Sequence, residues 1–401
     1  VTSTVQNSSD ATSEPHANRY ATSRLCLCVI SIIILYFNIF SNLSQNGGTL
    51  RFIRYNKEDM NILALETSCD ETAAAIVQHG SKVLVSCIAS SQLSFHESGG
   101  VIPEEAARKQ VECIVPIIRK VLKDSHMDRN DIDAIAVTKG PGLSGSLLVG
   151  TTAGRVLSSL WKCPILGVHH TLGHLCSPWL ECTSQPLFPL ITLSVSGGHS
   201  DIWYRTSHTR GTLLGSTRDD AAGEAFDKGA SMLGLPYPGG PSIQKAALNG
   251  KRSAYEFPKP LHNEEGFDFS FSGLKTSLKY TLRDLPENTP LKAVLPDIAA
   301  SYEHALCRHL IDRLERAVAK NPDVREVHIV GGVSANAHLR ALAEESLQGY
   351  ALRYPSQIAY CTDNAAMIGC AAYFLIEELG ETAFDTFKTE ASLPLSNLIH
   401  A

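Results

Sequence analysis

The chain has 401 residues, 44% of them hydrophobic and 19% charged, with a formal net charge of -6. Such a length can bury a sizeable core, and two domains are the first expectation. The acidic balance argues against generic polyanion binding, which needs a basic face, so a nucleic-acid partner has to meet a local patch. The 11 cysteines are scattered and form no C-x-x-C pair, which disfavours a disulfide framework or a structural zinc knuckle and fits a reducing interior.

The first sixty residues differ from the rest. Val1 to Ser23 is rich in Ser, Thr and Asn, the composition of a disordered tail. Residues 25–40, LCLCVISIIILYFNIF, are almost wholly apolar but short of the ~20 residues of a spanning helix. Arg19 and Arg24 precede this run, and Arg51, Arg54 and Lys57 follow it. It suits an organelle-targeting leader, a short membrane anchor, or translated sequence upstream of a start at Met60. We expect 1–60 to be a leader outside the fold, with membrane contact only if the apolar run is an anchor.

The globular pattern begins at Asn61-Ile-Leu-Ala-Leu65, a buried strand by its apolar run. A polar turn, Glu66-Thr-Ser-Cys-Asp-Glu-Thr72, leads into a second strand at Ala73 to Val77. The turn presents Ser68, Asp70 and Glu71 at one point, either as an ordinary acidic turn or as a functional cluster. A loop at His96 to Val101 precedes a helix starting at Pro103, with Glu104 and Glu105 in its first turn. That helix is expected to run towards Val121. Asp133 to Val137 is the next strand, followed by the glycine turn Lys139-Gly-Pro-Gly-Leu-Ser-Gly145 and a helix over Ser146 to Leu160. Strand, glycine turn and helix can aim backbone amides at an anion. No G-K-S/T closes this one, so it serves either as a tight turn or as a phosphate cradle.

The apolar run Pro164 to Val168 then delivers His169, His170 and His174. In a helix, His170 and His174 stand at i and i+4 on one face, the spacing one metal ion needs from two imidazoles. Two helix-surface histidines would show the same spacing. A zincin would need H-E-x-x-H, and Thr171 stands where that glutamate belongs.

The second half repeats the plan. Pro189 to Val195 is a strand, Ser196-Gly-Gly-His-Ser200 a turn, and Asp201 to Tyr204 a returning strand. Glu326 to Val330 runs into Gly331-Gly-Val-Ser-Ala-Asn336 and a helix through Leu347. These segments match the Asn61 hairpin and the Ala134–Leu160 unit. They predict a duplicated α/β fold whose glycine turns converge on one ligand. Between them, Arg218 to Lys228 is expected to open a helix with acids in its first turns, and Asp227 is its notable carboxylate. Asp268 to Lys275 alternates like a strand edge. Ser301 to Asn321 is expected to be an amphipathic helix with Arg308, Arg313, Arg316 and Lys320 on a solvated face, RNA contact being the alternative reading. Thr362, Asp363 and Asn364 are all good N-cap types ahead of an apolar helix at Ala365. Asp363 is either a cap or the carboxylate that completes a His-His-Asp metal site.

Ten motifs occur in one order: ALETSCDETAAAI, GGVIPE, KGPGLSGSLLVG, HTLGH, VSGGHS, DDAAGEAFDKGA, YPGGP, DFSFSGLKT, GGVSAN and CTDNAAMIG. Together they resemble the bacterial and mitochondrial branch of the tRNA N6-adenosine threonylcarbamoyltransferase family, formerly labelled O-sialoglycoprotein endopeptidases. The resemblance spans about Asn61 to Leu379. It implies a two-lobed, duplicated ribonuclease H-like fold of the actin, hexokinase and Hsp70 superfamily. The implied division is an N-terminal lobe at 61–168, a C-terminal lobe at 169–362, and a helix and tail at 363–401 returning to the first lobe. The implied reaction moves a threonylcarbamoyl group from threonylcarbamoyl-adenylate to N6 of adenosine 37 in tRNAs reading codons that start with adenosine, releasing AMP.

The resemblance also assigns residues. His170, His174 and Asp363 look like ligands of one divalent metal, iron or zinc. Ser194, Val195, Ser196, Gly197 and Gly198 look like the strand and turn that line the adenylate. Asp227 is similar to the acid expected at the ribose, and Gly240 and Asn336 to further nucleotide contacts. Asp70, with Glu71 beside it, matches an acidic hairpin that could activate the attacking amine. The family often has His where Gln110 stands. A homodimer or accessory tRNA-modification proteins, and a mitochondrial location, are further expectations; a cytoplasmic or membrane-anchored chain is the alternative. Two rival activities are a metal-dependent glycopeptidase and an ATPase or sugar-kinase-like module.

Overall fold

The computed structural model describes residues 60–90, 101–184 and 186–395. The expected leader, apart from Met60, and the loop at His96 lie outside the described residues. The chain divides into two units, 1–48 and 49–401, and the second carries everything below. Among the described residues no helix is long and apolar enough to cross a membrane.

The first sheet is built from β1 (Asn61–Glu66), β2 (Glu71–Gln78), β3 (Lys82–Ser90), β4 (Ala134–Gly140) and β5 (Ile165–His169). Its spatial order is β3-β2-β1-β4-β5. β1 pairs antiparallel with β2 and parallel with β4, placing Ile62 opposite Val77 on one side and Ala134 on the other. Central strands covered on both faces read as continuous apolar runs. β1 is accordingly buried from Ile62 to Glu66. β3 is the exception. It lies at the sheet edge, half-exposed, and had no clear signal in the sequence.

The second sheet holds β6 (Leu190–Val195), β7 (Ser200–Arg205), β8 (Gly211–Ser216), β9 (Glu326–Val330) and β10 (Ala351–Arg353), in the order β10-β9-β6-β7-β8. Substituting β6 to β10 for β1 to β5 in turn reproduces the first sheet, including the sense of every pairing. The duplication expected from the sequence is therefore a duplication of topology.

The helices cover these sheets: α1 (Pro103–Asp124), α2 (Ser144–Trp161), α3 (His170–Cys176), α4 (Ala222–Met232), α5 (Gly239–Ala247), α6 (Ser272–Arg283), α7 (Leu291–Lys320), α8 (Ala337–Ser346) and α9 (Ala365–Leu379). α9 packs back onto β1, β2 and α3. Gly369 allows that approach, since a Cβ there would stand 2.7 Å from Val77 Cγ2. One core joins the first sheet to α9 and another joins the second sheet to α4–α8. Each fully buried aliphatic side chain in them contributes about 1.5–3 kcal/mol.

Three expectations need correction. The helix after Arg218 begins only at Ala222, because Asp219 and Asp220 are engaged before it. Asp219 Oδ1 accepts from the Phe271 amide at 2.7 Å, and Asp220 pairs with Lys228 and Lys275, each at 2.8 Å. The stretch at Asp268 is no strand. Only an isolated bridge between Thr217 and Phe269 forms, and α6 starts at Ser272. α7 starts ten residues before Ser301 (at Leu291), and its arginines are not simply solvated. Arg313 is buried and donates to the carbonyls of Glu264 and Gly266 at 2.9 and 2.6 Å, while Arg308 pairs with Asp312 and Glu315.

Candidate metal centre and nucleotide turns

The His helix is set by the strand before it. β5 ends at His169, whose Nδ1 accepts the Thr171 amide at 3.1 Å and so caps α3. His169 Nε2 lies 2.9 Å from Leu393 O of the C-terminal segment. His169 is thereby a structural histidine, and burial, opposed by that bond, lowers its pKa to about 3. His170 and His174 point elsewhere, one turn apart, with ring centroids 4.8 Å apart and ring planes near perpendicular.

Asp363 meets them from the segment before α9. Its Oδ1 lies 3.4 Å from His170 Nε2 and 3.1 Å from His174 Nε2. These three ligand atoms lie within 4.8 Å of one another. Asp363 does not cap α9; Asn364 does, accepting from the Met367 amide at 2.9 Å. The cap and the acid of the cluster are thus adjacent residues with separate roles.

The donor set fits a divalent cation. Two imidazole nitrogens and a carboxylate oxygen are a common ligand set for zinc and other first-row metals. His170 is also flanked on its other nitrogen, with Nδ1 3.2 Å from Glu66 Oε2 and 3.1 Å from Ser68 Oγ. Burial disfavours charge on His170, yet the carboxylates of Asp363 and Glu66 outweigh it and hold its pKa well above the ordinary value. Burial likewise works against the Asp363 carboxylate, and the two histidines overcome it and hold its pKa well below the usual range. A ring held between two carboxylates is either an imidazolium or a ligand whose Nε2 proton has given way to a metal ion.

The acidic turn lies beside this cluster. Gln110 on α1 donates through Nε2 to Cys69 O at 3.0 Å and Glu71 O at 2.8 Å, so its amide clamps the turn. Asp70 is buried, and desolvation, assisted by Asp363, raises its pKa. Glu71 is pushed up to about 9 by desolvation and by the charges of Asp363, Asp70 and Glu66. Tyr237 feels Asp227 and also Asp70 and Glu71. The acids of the first-sheet hairpin and of α4 therefore act on one phenol.

The remaining expected residues form two groups. Ser194 and Val195 end β6 and are buried. Ser196 turns the chain, its amide donating to His199 O and its carbonyl accepting from Gly223 at the start of α4. Gly197 and Gly198 have nothing within 4 Å of where a Cβ would stand. Gly331, at φ +85°, lies so close beneath that a Cβ would fall 2.3 Å from Val195 O. In the second group, Asp227 is not a solvent-facing carboxylate: its Oδ1 accepts from the Gly239 amide at 2.7 Å, next to Gly240 at the start of α5. Asn336 caps α8, accepting from Leu339 N at 2.9 Å, and donates to Glu303 Oε1 at 2.8 Å.

Two amides of the glycine turn after β4 are bonded within the chain. Gly142 N donates to Ala391 O at 3.0 Å and Leu143 N to Ser68 O at 2.7 Å, so the chain itself takes both amides. Glu66, to which the sequence pattern assigns no role, also borders the cluster through His170. Its signal was a lone acid ending an apolar strand, NILALE.

Residues 82–370 match the family model for tRNA N6-adenosine threonylcarbamoyltransferase. A relative of that name from Symbiobacterium thermophilum is 47% identical over 317 residues, covering 78% of this chain and 91% of the relative. The Bacillus subtilis relative of that name is 42% identical over 333 residues, covering 82% and 94%. Among solved structures, T. kodakarensis HypF resembles the fold with a TM-score of 0.54 at 14% identity, covering 82% of this chain and 49% of that one. The fold is thus the duplicated two-lobed kind. On its sequence, its topology and the ordered motifs that build the site, the chain belongs to the tRNA N6-adenosine threonylcarbamoyltransferase family and is a transferase.

Proposed function

We propose that this chain transfers the threonylcarbamoyl group of threonylcarbamoyl-adenylate to N6 of adenosine 37 in tRNAs reading codons that start with adenosine, releasing AMP. The observation that carries the reading is the convergence of His170 Nε2, His174 Nε2 and Asp363 Oδ1 in a chain of this family. These residues would hold one iron or zinc ion, which when bound supplies a Lewis acid and a template for substrate oxygens.

In the reaction, the N6 lone pair forms a bond to the carbamoyl carbon, and the bond from that carbon to the phosphate oxygen breaks. AMP leaves with the electron pair, and one N6 proton is lost. The anhydride is already activated, so the protein's work is largely positioning and charge stabilisation. The open Gly197–Gly198 backbone suits close approach of the adenylate. Asp227 and Gly240, with Asn336, are assigned to the nucleoside. Asp70 is the assigned proton acceptor. Glu71, beside Asp70, is the second acid of this hairpin, and burial together with the Asp363, Asp70 and Glu66 carboxylates pushes its pKa up. The net charge of -6 favours help from a second copy or accessory proteins in holding tRNA. The proposed mitochondrial location rests on the apolar run at 25–40 with its flanking arginines and on the family branch.

The test is to incubate the full chain with threonylcarbamoyl-adenylate and unmodified tRNA, then analyse nucleosides by mass spectrometry. Threonylcarbamoyladenosine should form with the wild type and be lost in His170→Ala and Asp363→Ala. Undiminished product from both variants would reduce the cluster to structure.

A further inference from the structure

We propose that Glu66 is a positioning residue that fixes the metal-binding tautomer of His170. The inference rests on the metal reading of His170, His174 and Asp363 and is independent of which group is transferred.

Glu66 ends β1 and is 1% exposed. Both carboxylate oxygens are engaged. Oε1 accepts from the Ser68 amide at 2.5 Å, and Oε2 accepts from the Thr138 hydroxyl at 2.5 Å. Oε2 also faces His170 Nδ1 at 3.2 Å. With Oε1 accepting from the Ser68 amide and Oε2 from the Thr138 hydroxyl, the carboxyl presents only an acceptor to His170. Nδ1 must therefore carry the proton, which in a neutral imidazole leaves the lone pair on Nε2. That is the atom facing Asp363 and His174. Ser68 Oγ, 3.1 Å from the same Nδ1, does not decide the matter, because a hydroxyl can donate or accept.

Glu66→Gln separates these roles. The Ser68 amide can only donate, so the glutamine oxygen must stay on its side. The NH2 group then faces Thr138 and His170. Thr138 can rotate its hydroxyl, but Nδ1 now meets a donor and is driven to accept. The proton moves to Nε2, where it blocks the metal. A change of one atom thus reverses the ring while preserving the volume of the buried site.

The experiment uses the full chain and zinc alone. Affinity is read by competition with a chromophoric chelator, and 15N spectra of the zinc-loaded chain show which nitrogen of His170 carries the proton. The wild type should bind through Nε2 with the proton on Nδ1. Glu66→Gln should bind roughly 10- to 100-fold more weakly, as for other carboxylates that orient ligand histidines. Ser68→Ala, which leaves the Glu66 acceptor facing Nδ1, should lose clearly less than Glu66→Gln. Wild-type affinity in Glu66→Gln, or zinc on Nδ1 of His170 in the wild type, overturns the inference and leaves the metal reading standing. The second of these is read on the wild type alone, whatever the folding of the variant. A wild-type chain whose zinc binding is absent, or indifferent to His170→Ala, takes down the metal reading and this inference with it.

Discussion

His170 sits between two carboxylates, and that fixes the pH behaviour of the site. Its folded pKa is raised, so in the metal-free chain its stabilising contribution is fully present below 6.5 and is lost as pH rises through the folded value. The Asp363 pKa is depressed, so its contribution is present above 3.8 and lost as pH falls through the folded value. Both act between these limits. A metal ion has to displace the His170 proton, so zinc affinity should rise about tenfold per pH unit while that proton is being displaced. Calorimetric titration at pH 6, 7 and 8 checks this, and an affinity flat with pH contradicts it. Asp70→Asn tests the proton acceptor. It should lower turnover by roughly 10²- to 10⁴-fold with zinc binding unchanged. At this scale His170, His174 and Asp363 were legible through the resemblance, and the spacing of the histidines supported them. Glu66 was not legible, because its partners Thr138 and His170 lie 72 and 104 positions away.

Elements are held together by side chains that a one-dimensional pattern cannot pair. Glu326 at the start of β9 accepts from Arg353 Nε of β10 at 2.6 Å and from the Leu187 amide at 2.8 Å. Burial opposes its charge, but His328, the Leu187 amide and Arg353 outweigh it and lower its pKa to about 2. The depressed value means that this contribution is present above 4.5 and is lost as pH falls towards 2. Urea melts should show Glu326→Gln losing roughly 2–3 kcal/mol relative to wild type at pH 6, with the gap closing by pH 2. An equal gap at both pH values would mean that packing, and not charge, is what the substitution removes. The elements easiest to foresee were those buried on one stripe or on both faces, such as β1 and α9. The edge strands β3, β8 and β10 gave little pattern, and Asp219 was expected inside a helix because its true partners, the amides at Phe271 and Ser272, lie some fifty residues on.

The His170–His174–Asp363 cluster ties α3, which follows the first sheet, to the segment leading into α9. A ligand bound only by the native state stabilises the whole chain, by about 2.7 kcal/mol when free metal is at 100 times its Kd. Adding zinc to the metal-free chain should therefore raise Tm in a concentration-dependent way, and chelation should reverse it. His174→Ala should abolish the response. A zinc response retained in His174→Ala would place the ion elsewhere on the molecule. The C-terminal segment adds a second tie, since Glu390 N, Ala391 O and Leu393 O bond to Lys139, Gly142 and His169.

By itself the sequence determined the two sheets' central strands, their duplication, the His-x-x-x-His helix and the family. These follow from local periodicity and from motif order, both of which survive without knowledge of the fold. The tertiary structure decided which polar groups are spent on the protein itself. It gave His169 to capping and left His170 and His174 for the cluster. It gave the glycine turn after β4 to the C-terminal segment, and made Gln110 a clamp on the acidic turn. The physical reason is that a buried donor or acceptor has to be satisfied by whatever the fold brings within 3 Å or so, and that partner is set by packing, not by position along the chain.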